Sequence, residues 1–183
     1  MPLANVDSPI GFYLLQPKGK KEPFTIRRQV AGSRSLSIMV GDAYTLDGSA
    51  QAERAEGTEG TPDTVRGIVM GIDLAPLPAS AQGPVSQDYI TAADAGAILG
   101  IEDESATFRV QITTIAVTDL GKNANLVNGT NSTLLRQSRQ ELDGGTLATS
   151  DFEFRVQDLL QSPADNAFGA FAKVVAQLRH TLM

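Results

Sequence analysis

The chain has 183 residues, a net charge of −6, an isoelectric point of about 4.7 and no cysteine. The lack of cysteine excludes disulfides, thiolate chemistry and cysteine-based metal sites. An acidic chain repels the phosphate backbone of nucleic acids unless its positive charge is concentrated. No apolar run approaches the roughly 18 residues of a membrane span, and the N-terminus lacks the pattern of a signal peptide. These properties predict a soluble protein made in the cytoplasm, with either one domain that has arms or one domain plus a small appendage.

Residues 1–34 are predicted to form an extended N-terminal arm, and residues 35–183 a β-rich barrel domain. The arm has a short apolar run and a cluster of basic residues: Phe12, Tyr13, Leu14 and Leu15, then Lys18, Lys20, Lys21, Arg27, Arg28 and Arg34. The apolar run is too short to form a core alone, so it must pack on the main body or on a neighbouring subunit. The basic cluster would suit docking onto an acidic protein surface, although a solvated loop explains it equally well.

The first half of the barrel domain is punctuated by glycine and proline, which favours short strands and many turns. Alternating or apolar runs predict strands at 24–26, 36–40, 43–46, 64–74 and 88–91. The small apolar stretch 92–101 fits a helical turn or a further extended segment, and we favour the extended one. Gly67 and Gly71 inside one of these runs predict a bulge or a close backbone approach. Residues 49–63 are predicted to be an exposed loop. Its acids form a solvated patch rather than a metal site: Glu53, Glu56, Glu59 and Asp63.

The stretch 106–128 has the strongest strand signal. Phe108, Val110 and Ile112 alternate with polar residues, which predicts the middle strand of an antiparallel sheet with one apolar face. The residues 119–123 that follow favour a turn and predict a corner. Asn128-Gly129 is the strongest hairpin signal in the chain.

The C-terminal part contains two ambiguous stretches. Residues 134–142 fit an amphipathic helix by period or a strand by context, and residues 143–145 end them. A clear strand with Phe152, Phe154 and Val156 on its inner face follows. Residues 168–178 fit both periods, and the need to cover a sheet edge favours a closing strand.

Candidate catalytic groups are few. The single histidine, His180, lies in the terminal residues, where chains usually fray. One histidine without cysteine does not make a zinc site, and no glycine-rich phosphate loop occurs. The acidic run 102–104 is interpreted as a solvated turn, and no carboxylate pair lies in an apolar setting that would shift a pKa. We therefore expect no enzyme activity, no metal and no cofactor.

Three segments of the C-terminal half resemble a known family. The segments are Phe108 to Gln111, Asp119 to Ala124 and Pro163 to Val174, and the segment Val40 to Gly48 is similar to the family's entry strand. Together they resemble structural proteins of tailed bacteriophages that decorate or cement the capsid. The arm fits no pattern of that family.

The resemblance implies an all-β fold, with an antiparallel β-barrel or β-sandwich (β-tulip-like) body. It also implies a homotrimer on the outer surface of the virion, with the major capsid protein as partner and no nucleic acid, membrane or small-molecule substrate. It favours a strand for the closing segment. The apolar run and basic residues of the arm would supply the contacts to the capsid or to a sister subunit. Two rivals are a carbohydrate-binding or adhesive β-module, which exposed aromatics would favour, and a β-rich enzyme with a carboxylate site.

Overall fold

The structure is a computed structural model that describes residues 5, 7–15, 25–32, 34–56, 65–73, 89–131, 136–150, 152–161 and 166–179. The described residues form short strands and one 3-10 helix, Val117–Asp119, which confirms the predicted all-β class. The strands of the first half are β1 (Tyr13–Leu15), β2 (Thr25–Val30), β3 (Ile38–Met39), β4 (Ala43–Leu46), β5 (Ala52–Arg54), β6 (Gly67–Asp73) and β7 (Tyr89–Ile90). Those of the second half are β8 (Gly96–Ile101), β9 (Thr107–Ile115), β10 (Asn123–Ala124), β11 (Leu126–Asn128), β12 (Gln140–Leu142), β13 (Phe154–Leu159) and β14 (Gly169–Leu178).

The larger sheet is nearly closed and barrel-like. Its strands follow the order β10-β13-β14-β9-β12-β11, and β1 also pairs with β9. Only Asn125 separates β10 from β11, so the sheet starts and ends on one short stretch of chain. All its pairs are antiparallel except β9 with β12, which meet at the single parallel pair Ile112 and Leu142. The predicted antiparallel barrel is therefore confirmed, with one parallel contact.

The pair β9 and β14 forms the centre of this sheet. Phe108, Val110 and Ile112 on β9 lie opposite Ala176, Val174 and Ala172 on β14. All six side chains are buried. Because burial in β14 alternates with period two, residues 169–178 are a strand rather than a helix. The expected inner face of β9 and the expected strand near 168–178 are confirmed. The strand does not cover a sheet edge as expected, because β14 lies between β13 and β9 inside the sheet.

The smaller sheet packs beside the barrel with the strand order β2-β8-β6-β4-β5, and β3 pairs with β7 separately. The register of β6 against β8 shifts between Val69 and Gly71, which confirms the predicted bulge. A Cβ atom on Gly67 would lie 2.5 Å from the carbonyl oxygen of Ile101, which confirms the predicted close approach. Glycine is required at Gly67 because no side-chain atom fits there.

The strands of the arm belong to the two sheets. Strand β1 pairs with β9, and β2 pairs with β8 over six residue pairs. Phe12 is 2% exposed and belongs to the main core. Of the two alternatives left open for the apolar run, the described residues therefore pack on the main body. The chain division at residue 34 stays a prediction.

One local expectation needs correction. Residues 52–54 form β5 instead of an exposed loop, because Ala52 and Ala55 are buried against neighbouring strands. Two open points are decided: residues 140–142 are a strand, and β11 and β12 pair antiparallel from Asn128 and Gln140 onward, so a hairpin does follow Asn128, with a loop longer than two residues. Predicted residues that lie outside the described part are Lys18, Lys20, Lys21, Glu59, Asp63 and His180.

Candidate interaction surface

The apolar run of the arm divides into buried and exposed residues. The Phe12 ring stacks on Phe154 with centroids 4.7 Å apart and meets Phe108 edge-on at 6.3 Å. Leu14 is half-buried against the same core. Tyr13 alone is largely accessible, at 46% exposure, and the Arg109 guanidinium lies 4.9 Å from its ring centroid. Of these four predicted contact residues, Tyr13 is the one with an accessible ring, and Phe12 serves the protein's own core.

The predicted basic residues on β2 are paired within the chain. Arg28 donates to both carboxylate oxygens of Glu102, at 2.7 and 2.8 Å, and Arg27 forms an ion pair with Asp73. Arg34 donates to the backbone carbonyls of Ala31 and Thr91. These three arginines are therefore much less available to an acidic partner than their charge suggests.

Glu102 is the centre of this ion-pair cluster and corrects the interpretation of 102–104 as a solvated turn. Its side chain is 6% exposed and also accepts from Tyr44 Oη at 2.9 Å and Arg66 Nε at 3.1 Å. Burial alone would raise the pKa of Glu102, but the hydrogen bonds from Arg28 and Tyr44 hold that pKa below its usual range. The cluster ties β2, β4 and the end of β8 together.

A second buried polar cluster was missed by the sequence interpretation. Asp42 is fully buried and accepts from the backbone of Met39 and from Asn131 Nδ2, both within 2.9 Å. Arg54 lies 3.4 Å from Asp42 and donates to Asn131 Oδ1 and to the Gly129 carbonyl. Burial raises the pKa of Asp42, although the nearby Arg54 acts in the opposite direction. Asp42 and Arg54 are twelve residues apart in the sequence and belong to no local motif, so the sequence pattern does not predict that they form a pair.

Beside this cluster lies a cavity of about 530 Å³. Its lining is rich in hydroxyl, amide and charged groups: Ser35, Ser37, Arg54, Glu56, Asn128 and Asn131. Such groups can hydrogen-bond a polar ligand. The Ser35 hydroxyl donates to Glu56 Oε1 at 3.0 Å, so the lining places one hydroxyl beside a carboxylate. Among the residues that the structure describes, no group of three or more acidic or histidine side chains could hold a metal ion.

Two exposed apolar side chains lie at one end of the barrel. Val117 is 63% exposed and follows β9, while Phe168 is 40% exposed and precedes β14. Gly169 pairs with Ile115, so both side chains lie where the two central strands end. We call Val117 and Phe168 the strand-end patch. Exposed apolar residues that lie close together are a common mark of interaction sites.

Comparison with known proteins identifies no relative of this chain. No protein-family model, no curated protein and no solved structure matches the chain. In the described part of the chain, no helix has the length and apolar character needed to cross a membrane.

Proposed function

We propose that this chain is a structural protein of a tailed-bacteriophage virion. It binds the outer surface of the assembled capsid and bridges major capsid proteins, without catalysis. Binding only to the assembled shell stabilises that shell by mass action, and repeated contacts over the lattice add avidity.

The observation that carries the proposal is where the family-like segments lie. Phe108–Gln111 belongs to β9, and residues 119–124 form the corner that leads into β10. The described part of the third segment, 166–174, leads into β14. Strands β9 and β14 are paired, and β13 joins β14 to β10. The resemblance therefore covers one contiguous structural unit and not scattered turns.

The contact surface that we propose differs from the one predicted from the arm alone. Phe12 is buried, and the arginines of β2 are internally paired. The strand-end patch and Tyr13 expose apolar area instead. Apolar residues at the centre of an interface supply most of its binding free energy when water is excluded around them. We therefore propose the strand-end patch as the principal capsid contact, with Tyr13 as a secondary one.

The test is co-sedimentation of the purified chain with empty, expanded capsids. We expect saturable binding in a fixed ratio to the major capsid protein. The double variant Val117→Ser, Phe168→Ser should weaken binding at least about tenfold, since losing two interface anchors costs on the order of 1–2 kcal/mol or more. Ile26→Ser, at an exposed position on β2, is the matched control and should bind like the wild type. Absence of binding by the wild type would overturn the proposal.

A second candidate function is a surface carbohydrate-binding or adhesion module. The polar cavity favours it, because Ser35, Ser37 and Glu56 on its lining carry hydrogen-bonding groups suited to a hydroxyl-rich ligand. A glycan array with the wild type and the variant Glu56→Ala, at an exposed position of the cavity lining, distinguishes the two. Glycan binding that is lost in the variant, without capsid binding by the wild type, would favour the adhesion module.

A further inference from the structure

A lysine and a glutamine face each other on the two central strands. Lys173 on β14 lies directly opposite Gln111 on β9 in the sheet register. The Lys173 ammonium nitrogen donates to the Gln111 side-chain oxygen Oε1. The amine and the amide are therefore held in direct contact by the two strands that form the centre of the barrel.

Carboxylates flank the other end of the amide. Gln111 Nε2 donates to Glu141 Oε2 at 2.7 Å and to Asp7 Oδ1 at 3.0 Å. Glu141 is on β12, which pairs with β9 on the side away from β14. The neighbouring strands β14, β9 and β12 therefore place the amine of Lys173, the amide of Gln111 and the carboxyl of Glu141 side by side, in that order across the sheet.

The backbone of the arm completes the site. The Ser8 N–H donates to Gln111 Oε1 at 3.0 Å, and the Ser8 carbonyl accepts from Lys173 Nζ at 3.4 Å. Gln111 is only 2% exposed, while Lys173 and Glu141 are half-buried. An N–H aimed at the amide oxygen is placed to stabilise the negative charge that this oxygen gains when its carbon is attacked.

We propose that Lys173 and Gln111 form an intramolecular isopeptide bond. The Lys173 amine attacks the Gln111 Cδ, and the new Nζ–Cδ bond forms as the Cδ–Nε2 bond breaks. Glu141 in its protonated form gives a proton to Nε2, which leaves as ammonia, and the proton that the amine loses returns to Glu141 through solvent. A lysine ammonium and a glutamine amide thus give an amide and an ammonium ion, with no oxidation or reduction.

The protonation states that this reaction needs agree with the surroundings. Burial lowers the pKa of Lys173, which favours the neutral, nucleophilic amine, although Glu141 and Asp7 oppose this and Arg109 assists it. Burial also raises the pKa of Glu141, with further contributions from Asp7 and Asp143, while Gln111 and Lys173 act in the opposite direction. A carboxyl with a raised pKa is better able to donate a proton to the leaving nitrogen.

The bond would give a chain without cysteine a covalent cross-link. It would join the central strand to the closing strand and enclose residues 111–173 in one loop. Cross-links that close long loops stabilise a fold mainly by restricting its unfolded state. The inference concerns only this site and holds or fails independently of capsid binding.

Intact-mass measurement of the purified full-length chain is the test. We expect a mass below that of the sequence by one ammonia, about 17 Da, as amide exchange requires. Proteolysis should yield a linked pair of peptides, one with Gln111 and one with Lys173. Lys173→Arg keeps the positive charge but removes the reactive amine, so it should show the full sequence mass. Lys122→Arg, at the corner, is the matched control and should still lose the ammonia.

Glu141→Gln tests whether the carboxyl group itself is needed, because glutamine keeps the shape and the hydrogen bonding of the side chain but cannot donate the proton. It should fold, as judged by circular dichroism, and show the full mass or a cross-link that forms at least about tenfold more slowly. A wild type with the full sequence mass would overturn the proposal. A loss of ammonia that persists in Lys173→Arg would also overturn it, since a succinimide at Asn128-Gly129 releases the same mass.

Discussion

Phe12 lies between the rings of Phe108 and Phe154 and links the arm to the barrel core. In sequence it belongs to a four-residue apolar run in which each member looks equally suited to an external partner. Neighbouring side chains of an extended segment point to opposite faces, so Phe12 and Leu14 face the core while Tyr13 faces outward. The neighbouring ring, Tyr13, is 46% exposed. A shift of one position along this extended segment therefore changes a core residue into a surface residue.

Replacement of Phe12 tests this assignment. We expect Phe12→Ala to lower the free energy of unfolding by about 3–5 kcal/mol, because a buried aromatic side chain is lost and a cavity remains. Tyr13→Ala, one residue away and mostly exposed, should cost about 1 kcal/mol or less. Urea denaturation of both variants measures the difference. Equal losses would mean that the arm does not pack on the barrel through Phe12.

Glu102 is the residue whose removal should change the pH dependence of stability. Its folded pKa is lowered, so it contributes stability above the pKa of a glutamate in the unfolded chain. That contribution is lost as the pH falls through the lower folded pKa. We expect Glu102→Gln to lower the free energy of unfolding at neutral pH by about 2 kcal/mol, as for hydrogen bonds to a charged group.

The difference between Glu102→Gln and the wild type should shrink as the pH falls below the ordinary glutamate range, because the protonated wild type then resembles the variant. Denaturant titrations between neutral pH and acid measure it. Glu56→Gln, at an exposed position, is the control and should follow the wild type at every pH. A difference that stays constant with pH would contradict the ion-pair account of Glu102.

At the scale of elements, β6 contains two glycines with different roles. Gly67 approaches the Ile101 carbonyl, and its Cβ would also lie 2.9 Å from the Tyr44 ring. Gly71 lies at the bulge, and a Cβ there would meet only Leu99, at 3.6 Å, an ordinary contact. The sequence pattern places both in one strand but does not distinguish them, because the distinction depends on which strands lie opposite.

Alanine substitution should separate the two glycines. We expect Gly67→Ala to lower the free energy of unfolding by about 1–3 kcal/mol, since the added methyl overpacks a site closed by backbone. Gly71→Ala should change it by less than about 1 kcal/mol, given ordinary contacts and reduced freedom of the unfolded chain. Thermal and urea unfolding of both variants provide the comparison. A Gly67→Ala variant as stable as the wild type would show that β6 and β8 do not approach as described.

The strands that sequence predicts well are those whose own alternation decides their burial. In β9, Phe108, Val110 and Ile112 alternate with polar residues so clearly that the sequence predicts both the buried face of the strand and its place in the middle of a sheet. Strand β5 could not be predicted, because Ala52 and Ala55 are small and lie among acids. The buried pair of Asp42 and Arg54 likewise depends on β4 and β5 lying side by side, which is a tertiary fact. The sequence of residues 169–178 fits both the helical and the strand period, and only the pairing with β9 decides for a strand.

On the scale of the whole molecule, the barrel has an exposed apolar end and a polar flank. The strand-end patch lies where β9 and β14 end, while the ion pairs of Arg27 and Arg28 lie on the smaller sheet. A trimer, which the family resemblance implies, would place three such patches on one face. Three copies of a weak contact then bind a lattice far more tightly than one copy does.

The oligomeric state can be measured directly. We expect size-exclusion chromatography with light scattering to give three times the 19.4 kDa chain mass. The double patch variant should keep the same mass, because the proposed patch faces the capsid and not the sister subunits. A monomer mass for both proteins, in solution and after release from capsids, would contradict the trimer.

Electron cryomicroscopy of empty, expanded capsids incubated with the purified chain tests the central proposal most directly. We expect additional β-barrel density on the outer surface, between major capsid proteins, with Val117 and Phe168 facing the shell. We also expect this density to be lost with Val117→Ser, Phe168→Ser and kept with Ile26→Ser. Capsids that show no added density, even with the purified chain in large molar excess over the major capsid protein, would contradict the proposed capsid binding.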